Sequence, residues 1–324
     1  MDPRAARATR ALGPGRTAEG DGRMTTGAHA VILTEATAAR LRAWAAGWPE
    51  LAAARALAGA RPVHLVGGAV RDLLLGRAPK DADLVLPGDV AELAPRLARR
   101  LDAARVALHD DPPTERLVLR AGRTLDLAAY RGPDLAADLR ARDLTVNALA
   151  VDLAILLGDG PLVVLDPTGG RADLERGRLR AAGPDAFRAD PLRILRAYRL
   201  VTAFGWRIEP DTVALILAAR PGLTAVARER VAAELIAILA SERAWPVVRA
   251  MTEAGVLGAA LPPLPAATDR PWRTLRRLAW ARRRLSAGAG EGRSERLARL
   301  LTHEFAPARP RAALLAWLAL AYDA

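Results

Sequence analysis

Residues 67–83 read Gly67-Gly68-Ala69-Val70-Arg71-Asp72-Leu73-Leu74-Leu75-Gly76-Arg77-Ala78-Pro79-Lys80-Asp81-Ala82-Asp83: a glycine pair, an arginine, then two aspartates one residue apart. His64-Leu65-Val66 before this stretch and Leu84-Val85-Leu86 after it are short apolar runs bounded by Gly and Pro, the pattern of strands. Asp81-Ala82-Asp83 therefore opens a strand, and side chains at i and i+2 of a strand point to one face. Two carboxylates held side by side repel each other unless a cation sits between them. Mg²⁺ suits such a pair, because it takes one or two carboxylates and completes its shell with substrate phosphate. A metal pair of this kind clamps the attacking and leaving oxygens of an in-line displacement. Gly67 and Gly68 let the backbone come close to a triphosphate with amides pointing at it. The helical spacing of residues 69–76 aims a helix N-terminus at the same phosphates, and Arg71 adds a forked charge for their oxygens. The third glycine and the G-x-G spacing of a dinucleotide fingerprint are missing.

Four further stretches carry chemistry. Leu125-Asp126-Leu127-Ala128-Ala129-Tyr130-Arg131 reads as a strand reaching a loop. Arg142-Asp143-Leu144-Thr145-Val146-Asn147-Ala148-Leu149-Ala150 has the look of a helix N-terminus, with Asp143 or Thr145 capping an apolar run. Asp166-Pro167-Thr168-Gly169-Gly170-Arg171-Ala172-Asp173-Leu174 is turn-forming. Asp190-Pro191 opens a helix with Pro at its first position, and Arg193, Arg196 and Arg199 then recur every third residue along one broad face.

In this order the motifs resemble the class II tRNA nucleotidyltransferases and bacterial poly(A) polymerases, within the DNA polymerase beta superfamily, over roughly residues 60–260. The resemblance implies an α+β fold: a nucleotidyltransferase head with a small mixed β-sheet, followed by an all-α neck and body. It implies that Asp81 and Asp83 bind the two metals and that Asp126 completes the site and helps deprotonate the attacking hydroxyl. Gly67, Gly68 and Arg71 would bind nucleotide; Arg142 would contact it, while Asp143 and Asn147 hold the ribose and the site geometry. The stretch from Asp166 would join head to neck as a hinge. Asp190 and Arg193 would be an amino-acid template for the incoming base, with Arg196 and Arg199 helping on phosphates or base. Cytosine and adenine both offer an amino donor beside a ring-nitrogen acceptor, which a carboxylate and a guanidinium complement. Uracil and guanine place a carbonyl where the carboxylate sits.

Two departures from the family pattern stand out. Ala189 precedes Asp190 where the family has Glu, a residue that would orient Arg193. Between Arg131 and Asp138 there are only Gly132, Pro133, Asp134, Leu135, Ala136 and Ala137, whereas CCA-adding relatives carry a longer flexible loop that helps switch the pocket from C to A. The expected activity is template-independent addition of CCA, from CTP and ATP, to the 3′ end of tRNA, with release of pyrophosphate. The runner-up is a CC-adding enzyme. A poly(A) polymerase ranks third, because residues 101–119 offer only Arg105 and Arg116 in place of that family's arginine cluster. A catalytically silent RNA-binding protein built on the same head has no use for the metal-binding carboxylates.

Composition agrees. The 324 residues carry 48 basic and 36 acidic side chains, a net +12 that suits a polyanionic partner and makes binding salt-sensitive. Lys80 is the sole lysine, a bias that a GC-rich genome explains. Cysteine is absent, which excludes disulfides and thiolate metal sites and fits a cytoplasmic protein. His29, His64, His109 and His303 are scattered without ligand spacing, and no apolar run reaches the roughly 18 residues of a membrane span. Residues 1–28 read as a disordered leader, with Met24 an alternative start. Residues 29–170 read as the head with its N-terminal helices at 34–58, where Trp44 and Trp48 stand four apart. Residues 171–230 read as the neck and 231–324 as the tRNA-binding body, with Glu229-Arg230-Val231-Ala232-Ala233-Glu234-Leu235 resembling the family's neck–body helix. Pro262-Pro263-Leu264-Pro265 breaks the helical run, and residues 273–284, with Trp272 and Trp280, form a basic candidate tRNA-facing helix.

Overall fold

The computed structural model describes residues 30–110 and 113–261, with short strands at 24–25, 304–306 and 309–310. The leader, the proline break at 262–265 and the basic stretch at 273–284 lie outside the described residues. The described chain divides into two compact units: one reaches Arg176 and includes Arg180–Ala186, the other takes Gly177–Leu179 and continues from Phe187.

The first unit is built on a mixed sheet of nine strands, the α+β head expected. In chain order its strands are β1 (Met24–Thr25), β2 (Ala30–Ile32), β3 (His64–Val66), β4 (Asp81–Leu86), β5 (Ala104–Asp110), β6 (Pro113–Val118), β7 (Thr124–Ala129), β8 (Ala150–Asp152) and β9 (Val163–Leu165). They lie side by side as β1-β2-β9-β8-β3-β4-β7-β6-β5. Every neighbouring pair is antiparallel except β4 and β7, which run parallel. A parallel pair needs a crossover, here the helix Val90–Leu101 and the β5–β6 hairpin. That helix, capped by Asp89 on the Ala91 amide, buries Val90, Leu93, Ala94 and Leu97 on one side of the sheet, where Ala82, Leu84, Leu117, Leu125 and Leu127 also point.

The helices expected over 34–58 are Glu35–Ala46 and Pro49–Leu57, broken where Gly47 and Pro49 flank Trp48. Trp44 and Trp48 still meet, with ring centroids 5.2 Å apart. The Trp44 indole N–H donates to the Pro79 carbonyl at 3.2 Å, pinning the chain just before β4. Helix Gly68–Leu74 follows the glycine pair as expected. The stretch from Arg142 differs from its expectation. It forms a single 3₁₀ turn, Thr145–Asn147, that runs into β8, because Asp143 bonds within the turn rather than capping an α-helix.

The second unit, across its described residues, is mainly helical. Helix Leu192–Phe204 packs its Ile194, Leu195, Ala197, Tyr198 and Val201 face against Val231, Leu235 and Ile238 of helix Arg228–Leu239. Pro191 is the residue before this helix rather than its first, and Gly205, at φ +74°, ends it. Two short parallel strands, Arg178–Leu179 and Arg207–Ile208, had no signal in the sequence.

Candidate active site

Register places the carboxylates. Asp83 lies opposite Asp126 across the β4–β7 pair, and Asp81 lies opposite Thr124. Paired residues share a face, so all three aspartates stand on the side of the sheet away from helix Val90–Leu101. Asp81 is exposed and Asp83 and Asp126 are half-buried. The Thr124 hydroxyl donates to Asp81 Oδ1 at 2.7 Å.

β6 extends the row with Arg116 opposite Asp126. Its Nε donates to Asp126 Oδ1 at 2.8 Å and its Nη2 to Oδ2 at 2.7 Å, a bidentate charge-assisted pair. These bonds raise the Arg116 pKa, opposed by burial and reinforced by the charges of Asp126, Asp81 and Asp83. Asp126 is therefore engaged through both oxygens. Arg105, the other arginine of that hairpin, is bound to Glu115 at 3.0 Å.

Gly67 sits at the middle of the site. Its φ of +74° and ψ of −141° are open to glycine and closed to other residues. A Cβ built on it would stand 3.1 Å from Asp83 Oδ2 and 3.3 Å from Arg142 Nη1. The bare backbone, a carboxylate oxygen and a guanidinium nitrogen thus converge on one spot. Gly68 starts the helix, and Arg71 folds back beneath it, with Nη2 3.3 Å from where a Gly68 Cβ would be.

Behind this front lies a buried polar chain. Arg71 Nη1 donates to Asn147 Oδ1 at 2.6 Å, and Asn147 Nδ2 donates to Asp143 Oδ1 at 3.0 Å. Arg71 Nε also donates to Asp72 at 2.9 Å, so this arginine, expected on phosphate oxygens, is tied to the chain's own acceptors. Arg142 is held through Nε and Nη2, at 3.1 and 2.9 Å, on Asp138 Oδ2, which leaves its Nη1 facing Gly67. The 3₁₀ turn is braced from behind. Thr145 Oγ1 donates to buried Asp173 at 2.8 Å, and Arg180 donates to the same carboxylate oxygen. Asp166 accepts from the Gly170 and Arg171 amides at 2.7 and 2.9 Å, fixing the expected turn as the start of helix Gly170–Glu175.

Asp81 and Asp83 are hard oxygen donors on one open strand face, and the Thr124 hydroxyl orients the first of them. That set fits a divalent cation that fills its shell with water and substrate phosphate. Among the described residues no three His, Cys, Asp or Glu side chains form a closed metal cage.

In the second unit Arg193, Arg196 and Arg199 do share the half-buried face of helix Leu192–Phe204. Asp190 accepts the Leu192 amide at 3.1 Å through Oδ1 and Arg230 Nη2 at 3.1 Å through Oδ2. Arg199 is paired with Glu234 at 2.6 Å. Both partners come from the 229–235 motif. Sequence reasoning had not linked Arg116, Asp138 or Asp173 to the carboxylates and arginines of the first unit, nor Arg230 or Glu234 to the Asp190–Arg199 stretch of the second. Asp138 alone had a local signal, an acid four residues before an arginine.

Residues 63–135 and 124–180 match the family described as the poly A polymerase head domain. Residues 205–268 match the probable RNA and SrmB-binding site of polymerase A. The chain is 41% identical over 212 residues to the CC-adding tRNA nucleotidyltransferase of Geobacter sulfurreducens, covering 65% of this chain and 48% of that protein. It is also 41% identical over 163 residues to the multifunctional CCA protein of Nitrosomonas europaea, covering 48% and 38%. It thus spans half or less of the length of these curated relatives. The Thermotoga maritima CCA-adding enzyme complexed with tRNA is similar with a TM-score of 0.64 and 28% identity, over 86% of this chain and 67% of that one. A CCA-adding enzyme in complex with CTP is similar with a TM-score of 0.63 and 29% identity, over 81% and 68%. No helix among the described residues is long and apolar enough to cross a membrane. On these matches and this site, the chain belongs to the class II CCA- and CC-adding tRNA nucleotidyltransferase and poly(A) polymerase family, and carries its polymerase head domain.

Proposed function

We propose that this protein adds nucleotides to the 3′ end of tRNA without a nucleic-acid template. The observation that carries the reading is the convergence at Gly67, where Asp83 Oδ2 and Arg142 Nη1 face the same bare backbone with Asp126 in register beside Asp83. Nothing in a structural turn calls for a carboxylate and a guanidinium on one open spot; a metal-bound triphosphate calls for both. The relatives named for CC and CCA addition support the same chemistry.

In the reaction the tRNA 3′-oxygen attacks the α-phosphorus of the nucleoside triphosphate, the new P–O bond forms, and the bond to the departing pyrophosphate breaks. Mg²⁺ held by Asp81 and Asp83 would supply charge neutralisation for the phosphates and the attacking oxygen. Arg142 Nη1 binds the triphosphate beside the Gly67 backbone, and the Arg71–Asn147–Asp143 chain keeps the floor of the site rigid. Arg116 takes one lone pair of each Asp126 oxygen, and the remaining lone pairs are open to the hydroxyl proton. Asp190 and Arg193 read the base edge, with Arg230 holding Asp190 in a chain that has Ala189 in place of the family Glu.

One observation favours CC addition over full CCA addition. The short segment from Arg131 to Asp138 closes on itself. Asp134 caps the next helix through the Ala137 amide at 2.8 Å, and a Cβ on Gly132 would stand only 2.7 Å from the Ala137 Cβ. A segment fastened this way is poorly suited to swing a pocket from C to A.

The experiment is incorporation into a tRNA ending at the discriminator base, with Mg²⁺ and CTP alone, ATP alone or both, sized at single-nucleotide resolution. Two added residues from CTP, with ATP ignored, are the expected result. Three residues when both are present would establish CCA addition. A long tail from ATP alone would make it a poly(A) polymerase, and no incorporation would refute the activity.

A further inference from the structure

We infer that Asp138 is a positioning residue that couples the 131–138 loop to the nucleotide-binding arginine. The inference rests on the proposed activity and goes further, by naming what sets the reach of Arg142. Asp138 is 1% exposed, so its charge has no solvent to rely on and needs partners. Those partners lie in two directions. Oδ1 accepts the Arg131 backbone N–H at 3.2 Å, the first residue of the loop. Oδ2 takes both Nε and Nη2 of Arg142.

The division of the guanidinium follows. With Nε and Nη2 occupied, Nη1 is the corner presented to Gly67 and Asp83. An arginine side chain has several rotatable bonds and loses its preferred rotamer when its anchor goes. The anchor itself sits on helix Leu135–Arg140, whose Leu139 packs in the core beside Val66, Val85, Ala148 and Ala150, under strands β3, β4 and β8. The anchor is therefore rigid on its helix side and reaches the loop through the Arg131 amide on Oδ1. Lengthening or loosening the loop removes the Arg131 amide from Oδ1 and frees the carboxylate to rotate, and Arg142 turns with it.

The test compares the wild-type chain, Asp138→Asn, an insertion of two glycines between Gly132 and Pro133, and the two changes combined. CTP incorporation into tRNA is measured with KM and kcat separated, and folding is followed by thermal melting. Asp138→Asn is expected to raise KM for CTP about tenfold while kcat falls by less, because a ground-state contact is misplaced rather than the reacting groups. The glycine insertion should raise KM in the same way, and the combined variant should be no worse than Asp138→Asn alone, since both act through one carboxylate. If Asp138→Asn melts below the assay temperature, the insertion variant carries the test, because it changes neither Asp138 nor Arg142 and keeps the buried charge paired. A folded insertion variant with unchanged KM overturns the coupling, as does a folded Asp138→Asn with KM within twofold of wild type. A wild-type chain that incorporates no nucleotide refutes the proposed activity instead, and the two failures are told apart by that first measurement.

Discussion

Replacing Gly67 with alanine separates a structural glycine from a catalytic one. The added methyl meets two penalties. The backbone there, φ +74° and ψ −141°, is essentially closed to a residue with a Cβ, at a cost of roughly 1–3 kcal/mol. The Cβ also stands 3.1 Å from Asp83 Oδ2 and 3.3 Å from Arg142 Nη1, so both side chains must give by a few tenths of an ångström, away from the spot a phosphate would take. Misplacing reacting groups by fractions of an ångström to 1 Å costs up to about a hundredfold in rate, equivalent to about 2.7 kcal/mol of activation free energy. Gly59 provides the control: its φ is +64°, yet a Cβ there has nothing within 4 Å. Gly59→Ala should lower the urea unfolding midpoint by a similar strain and leave single-turnover CTP incorporation unchanged, whereas Gly67→Ala should lose about two orders of magnitude of rate. A folded Gly67→Ala protein that turns over within threefold of wild type would refute the convergence argument.

Three other predictions follow from the same region. Asp83→Asn should cost more than about a hundredfold in incorporation, because one neutral amide cannot share a divalent cation with Asp81, and it should leave the melting temperature within a few degrees; retained Mg²⁺-dependent incorporation would remove Asp83 from the site. Gly170→Ala should be destabilising by about 3 kcal/mol or more, since its Cβ would lie 1.8 Å from the Thr145 carbonyl oxygen, and a melting temperature equal to wild type would disprove that close approach. Burial lowers the His64 pKa, with Asp152 partly opposing, so the folded chain takes up this proton later than the unfolded one. Its contribution is complete above about pH 6.5 and is lost as pH falls below that value; urea midpoints at pH 7.5 and 5.5 should differ less in His64→Asn than in wild type, and equal differences would count against the buried neutral imidazole.

The strand that carries Asp81 and Asp83 was legible because its signals are local. Alternation along Asp81-Ala82-Asp83-Leu84 states which residues face the core, and Gly67 marks a backbone that only glycine adopts. Asp126 was legible through motif order alone, since nothing near it in sequence reveals that β7 lies parallel to β4 with Asp126 opposite Asp83. Arg116 was missed for the same reason: its partner is set by the register of β6, ten residues away in sequence and across a strand pair. The 3₁₀ turn at Thr145–Asn147 was misread as a helix start because Asp143 and Thr145 are good capping residues by type. Their side chains are spent on Asn147 and on Asp173, the latter fixed by a contact 28 residues along the chain. The arginine face of helix Leu192–Phe204 followed from spacing, but its partners Arg230 and Glu234 come from a helix further along the chain.

The parallel pairing of β4 and β7 also bears on how the protein reaches its native state. Thr124 and Asp81 are 43 residues apart in sequence yet hydrogen-bonded, so the acidic row exists only after the whole crossover has closed. Closing a long loop costs entropy before any contact repays it, which places this pairing among the slow events of folding. A chain caught before that step has not yet brought Asp81 beside Thr124 or Asp83 beside Asp126. A divalent cation held as proposed would therefore bind only the finished head, and by mass action would draw partly folded chains toward it.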